Sequence, residues 1–184
     1  MPVNLTINLN WETASGDTRR MLEDLQGNIQ KGHGGEQTAH LFLNLGSTIP
    51  KVKAVRRSVG RQVQSALDQL RDAKVFRTTK LSGCCFLSFY ITAAGYGALG
   101  VPASKQLSGA AFRAALKARA VNLTDPPSSA WEKHVRQNNP GRVVHGLLLI
   151  ADTTKAEVLA QADRWTALLS LGGITVLGRE VGKA

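Results

Sequence analysis

Apolar and polar positions change period several times along the chain, and each change marks an element. Ala39 to Leu45 alternates, with Leu41, Leu43 and Leu45 on one side and His40, Phe42 and Asn44 on the other, the pattern of a half-buried strand. After Pro50 the apolar residues Val52, Val55, Val59, Val63, Ala66, Leu67 and Leu70 recur every third or fourth position, which predicts one long helix opened by proline. Cys84 to Thr92 alternates again, with Cys85, Leu87, Phe89 and Ile91 on one face. Arg142 to Ala151 predicts a third strand, apolar on both faces through Val143, Val144, Leu147, Leu148, Leu149 and Ile150. Thr154-Lys155-Ala156-Glu157 has the spacing of a capping box and opens a second main helix. Its buried face is Val158, Leu159, Ala162, Trp165, Leu168 and Leu169; Gly172-Gly173 ends it, and Ile174 to Val181 is a last strand.

Residues 93–142 are less regular. They predict a short helix closed by Gly100 and Pro102, another over Phe112 to Val121, a loop at Pro126-Pro127 and a turn at Pro140-Gly141. The order strand, helix, strand, excursion, strand, helix, strand predicts an α+β, ferredoxin-like (βαββαβ) domain. Its four-stranded antiparallel sheet carries two main helices on one face, with a helical and loop excursion between strands 2 and 3. Residues 1–20 read as an arm and 21–184 as the domain. A free-standing sheet of this kind is polar on its helix-free face, but the strand 143–150 is not. Either the excursion covers that face or another chain does. Between arm and first strand, Gly27, Gly32, Gly34 and Gly35 punctuate a loop that stops any helix.

Composition narrows the chemistry. The net charge of +10 comes mostly from Lys51 to Lys80, which carries +7. This reads first as the solvated face of a helix; nucleic-acid binding is disfavoured because no aromatics interleave with the cations. No apolar run approaches the ~18 residues of a membrane span, and Met1 to Arg20 lacks an apolar export core, so a cytoplasmic location is expected. Cys84 and Cys85 are adjacent and form no disulfide framework. His33, His40, His134 and His145 lack metal-ligand spacing, so no metal site and no catalytic residue is assigned. Gly95-Tyr96-Gly97-Ala98-Leu99-Gly100 spells a dinucleotide fingerprint, but Gly100 and Pro102 leave no long helix behind it.

The segment Leu25-Gln26-Gly27-Asn28-Ile29-Gln30-Lys31-Gly32-His33-Gly34, followed by His40-Leu41-Phe42-Leu43, resembles the start of dye-decolourising (DyP-type) haem peroxidases. The likeness continues through Thr92 to Pro102, Phe112 to Arg119, Leu123-Thr124-Asp125, Trp131 and His145 to Asp152, and spans most of residues 22–181. The resemblance implies a pair of ferredoxin-like domains with one haem b between them, and a Gly-x-x-Asp-Gly signature whose aspartate lies distal to the iron. A distal arginine and a proximal histidine follow later in that family. Here the dipeptide Asp-Gly occurs nowhere, and Arg179 to Ala184 stands where family members run toward the signature.

The resemblance therefore implies the N-terminal half of a split peroxidase, inactive alone, that forms one wall of the haem cavity. A second polypeptide would supply the aspartate, the arginine and the iron ligand for peroxide-dependent oxidation of dyes and aromatics, and higher oligomers would be compatible. Haem b would bind only with the missing half. Gln26, Gly27, Asn28 and Ile29 are the candidates for cavity rim or partner contact, against a purely structural role for the loop. Three other readings stay open: a non-catalytic ferredoxin-like binding protein, a basic nucleic-acid module, and a fragment of a single-chain enzyme.

Overall fold

The computed structural model describes residues 10–46, 57, 59–81, 83, 85–114, 118–120, 122–133 and 142–183. Four strands form one sheet: β1 (Gln37–Asn44), β2 (Phe86–Ile91), β3 (Gly146–Asp152) and β4 (Thr175–Lys183). Their order is β2-β3-β1-β4 and every neighbouring pair is antiparallel, as the ferredoxin-like reading requires. The helix α5 (Lys155–Leu171) lies across one face. Thr154 caps it by accepting the Glu157 N–H at 3.2 Å, half of the capping box the sequence spells. Val158, Ala162, Trp165 and Leu169 are buried against Ala39, Leu41, Leu43, Leu148 and Ile150, and this is the main core. Leu168, placed on the buried face by periodicity, is 39% exposed; the stripe facing the sheet is narrower than the apolar spacing suggests.

The long helix expected from Pro50 is not continuous. Val59 to Gln62 is a turn, with Gln62 and Val63 both donating to the Val59 carbonyl. Helix α2 (Ala66–Thr79) starts only after Ser65, whose hydroxyl accepts the Asp68 N–H at 3.1 Å. The physical reason is that residues 64–66 spend their backbone on distant partners. The Gln64 N–H reaches the Leu87 carbonyl on β2, its carbonyl takes the Gly27 N–H, and the Ala66 N–H reaches the Leu25 carbonyl. Pro50, Val52 and Val55 lie outside the described residues.

Helix α1 (Gly16–Asp24) takes in the end of the expected arm. Leu22 packs on Ala66 and Leu67 of α2, with Trp11, Ala14 and Met21 alongside, a second small core beyond the β2 edge. The two main helices therefore do not share one role: α5 covers the sheet, while the buried contacts of α2 go to α1. The excursion opens with α3 (Ala93–Ala98), capped by Thr92, and continues with α4 (Ala110–Arg113). A Cβ on Gly95 would lie 1.9 Å from the His145 carbonyl oxygen, so that glycine of the fingerprint-like motif serves a close backbone approach. Ala98 and Leu99 pack on the α5 side of the core. The end of α3 thus packs on the helix side of the sheet. Part of the expected Phe112–Val121 helix and the Pro140-Gly141 turn fall outside the described residues.

Candidate functional site

Strand register fixes what the sheet presents on the face away from α5. Across β2, β3, β1 and β4 the rows are Phe86, Ala151, Thr38 and Gly182; then Ser88, Leu149, His40 and Glu180; then Tyr90, Leu147, Phe42 and Gly178. The β2–β3 half of this face is apolar, as the both-sided hydrophobicity of the third strand foretold. Phe86, Leu149 and Ala151 form their own buried cluster. In the third row Leu147 and Phe42 are half-buried and Tyr90 is exposed.

What covers the first row is the glycine loop. Gly27 sits on Phe86, where an added Cβ would be 2.9 Å from the ring edge. Gly35 lies against the Asp152 backbone, with room for no Cβ beyond 2.9 Å. The His33 ring stacks on Phe86 with centroids 5.9 Å apart. Gln69, buried on α2, holds the loop from outside: its amide donates to the Lys31 and Gly32 carbonyls and its oxygen accepts the Asn28 N–H.

The four candidate rim residues separate on this geometry. Gln26 closes the edge of β2, accepting the Phe89 N–H at 3.0 Å and donating to the fully buried Ser88 hydroxyl at 2.8 Å. Gly27 is buried and donates to the Gln64 carbonyl. Asn28, at φ 67°, donates through its side chain to the Tyr90 hydroxyl at 2.9 Å. Ile29 is 61% exposed. Gln26 and Gly27 are thus engaged within the chain, and Ile29 projects outward. Gln69 and Gln64 belong to the same arrangement and were not singled out by the sequence; a glutamine on the buried side of a helix was the available signal.

Two cavities flank this region. One, of about 280 Å³, lies beneath the loop between His33, Gln69, Asp72, Arg77, Phe86 and Asp152. The other, of about 430 Å³, lies on the opposite side of Gln26, among Asp24, Val63, Phe89, Ile91 and Leu99. The basic stretch of α2, from Lys74 to Lys80, is exposed; Lys74 pairs with Glu12 at 3.0 Å and Arg71 with Asp68 at 3.2 Å, as a solvated helix face would. Among the described residues no group of three or more His, Cys, Asp or Glu could hold a metal ion.

Among the described residues, His33 and His145 are not set up as haem-iron ligands. A ligating histidine donates its second ring N–H to a neighbour and offers the other lone pair to the metal. His33 does the reverse: its Nδ1 accepts the Gly35 N–H at 3.1 Å, which puts the proton of the neutral ring on Nε2. His145 is held the same way by the Leu45 N–H at 3.0 Å. Burial holds both below the usual histidine range, with the nearby His40 adding to the effect at His33. His40 stands mid-face in register with Leu149 and Glu180, His134 lies outside the described residues, and Cys85 packs beside the Ala151 carbonyl on the core side.

Comparison with known proteins matches this architecture. No protein-family model matches the chain. The multifunctional dye peroxidase DyP2 of an Amycolatopsis species is 32% identical over 182 residues, which is 99% of this chain and 37% of that protein. The solved DyP2 structure superposes with a TM-score of 0.81 at 30% identity, over 95% of this chain and 36% of the other. A DyP-type peroxidase of an Anabaena species gives 0.79 at 28% identity, over 91% and 35%. The peroxidase of Auricularia auricula-judae, at 17% identity and 0.70, shares the fold. The resemblance read from the sequence therefore holds along nearly the whole chain, and the chain spans about a third of the length of these relatives, less than the half expected.

Proposed function

We propose that this chain, similar throughout its length to about a third of a DyP-type peroxidase, is the N-terminal ferredoxin-like unit of such an enzyme. In this reading it builds one wall of the haem cavity and carries no iron ligand of its own. The observation that supports it most is the pairing of a 99% match along this chain with coverage of only 37% of the relative. The exposed Tyr90 beside the half-buried Leu147, on the sheet face away from α5, suits a surface that meets another unit. The distal aspartate, distal arginine and proximal histidine then come from outside these residues, carried by a second polypeptide in a reducing cytoplasm. No step of peroxide chemistry is assigned to the described residues. Their part is to fix the wall's shape and to exclude water from the contact.

Haem titration tests the proposal. Added to the purified chain alone, haem is expected to give only the broad spectrum of loosely associated pigment, without peroxide-dependent dye oxidation. A stoichiometric complex with a sharp Soret band and histidine-ligated signature would overturn it.

A further inference from the structure

We propose that Lys31–Gly35 is a proton-operated strap, closed over the Phe86–Ala151 corner of the sheet while His33 Nδ1 accepts the Gly35 N–H, and released when that nitrogen takes up a proton. This inference does not depend on the peroxidase assignment. The two ends of the strap are held by different chemistry. Gln69 grips the start through the Lys31 and Gly32 carbonyls, both at 3.0 Å, and an amide does not titrate. The far end runs into β1 at Gln37, and within the strap the 3.1 Å bond from the Gly35 N–H to His33 Nδ1 holds the His33 ring against Phe86. Between these ties the strap is thin. Gly32 and Gly34 have open space where a Cβ would stand, Gly34 is at φ 75°, and the cavity of about 280 Å³ lies beneath.

The charged groups around His33 set the direction. Lys31 comes from the strap itself, His40 from β1, Asp152 from the end of β3, and Asp72 and Arg77 from α2. The two carboxylates, which would favour a charged ring, are already engaged: Asp72 accepts from Gln64 at 2.7 Å and Asp152 from the Thr153 N–H at 2.6 Å. Burial, and then His40, outweigh them and favour the neutral ring. A proton on Nδ1 sets donor against donor at Gly35 and places a positive charge on a half-buried ring next to His40. The His33 ring loses its hold on Gly35, and the strap comes off Phe86 between the Gln69 grip and the start of β1.

Amide hydrogen exchange on the full chain at about pH 7.5 and about pH 5, corrected for chemical exchange rates, tests this. Loss of protection at the Gly35 amide is expected at the lower pH, with the β2–β3 ladder and the α5 amides unchanged. In His33→Asn, whose side-chain oxygen can accept an N–H two residues on without titrating, the strap should stay closed at both pH values. Equal protection at both pH values in the unmodified chain, or the same loss in His33→Asn, overturns the strap. The unmodified chain supplies a second measure: the His33 ring proton titration seen by NMR must share its midpoint with the loss of protection, and separate midpoints overturn it as well.

Discussion

Replacing Gln26 by alanine separates a fold-holding residue from a partner contact. The side chain makes two bonds that nothing nearby can replace: it accepts the Phe89 N–H at 3.0 Å and donates to the Ser88 hydroxyl at 2.8 Å. Ser88 is fully buried, so truncation leaves its hydroxyl and the Phe89 N–H without their partner. Each buried group left without its partner costs about 1–3 kcal/mol, so with two such groups Gln26→Ala should destabilise the chain by roughly 2–6 kcal/mol. That is a large share of the ~5–15 kcal/mol typical of a domain. Urea unfolding followed by far-UV circular dichroism gives the number directly, provided the m-value is unchanged. Gln26→Glu should recover part of the loss, since a carboxylate still accepts from Phe89 and the serine hydroxyl can turn to donate. A loss under about 0.5 kcal/mol for Gln26→Ala would refute the reasoning and leave Gln26 to a cavity-rim or partner-contact role.

Three further outcomes follow from the same contacts. Gly95→Ala puts a Cβ 1.9 Å from the His145 carbonyl oxygen, and should cost at or above the ~1–3 kcal/mol of ordinary overpacking, read as a drop in Tm. Leu148→Ala, at a fully buried position under α5, should lower stability by about 2–5 kcal/mol in the same urea assay. Because folding favours neutral His33 and His145, their contribution is complete above the unfolded value of about 6.5 and is lost as pH falls through the lower folded values. The urea midpoint should therefore decline from about pH 7 to about pH 5, and a flat profile would count against both assignments.

How far the sequence alone could go depends on whether a residue's partners are near it in the chain. Helix α5 and strand β3 were legible because their own spacing, Val158 to Leu169 and Leu147 to Ile150, states which side is buried. The break at 59–65 was not, since Val59 and Val63 keep helical spacing through a turn whose backbone bonds run to Leu25, Gly27 and Leu87. The glycine loop read as a helix stop; that Gly27, His33 and Gly35 fold over Phe86 and Ala151 depends on register between β2 and β3, which no local pattern carries. The far-face hydrophobicity was visible in the third strand, while its partial closure by that loop was not. The four rim candidates are consecutive in the motif, and only the fold distinguishes Gln26, bonded inward, from Ile29, exposed.

The most direct test is the intact mass of the native assembly, taken under non-denaturing conditions from the cells that make this chain. The account predicts a species heavier than 19.7 kDa by a second polypeptide unit and one haem. The chain found alone, or only in multiples of itself without haem, would contradict it.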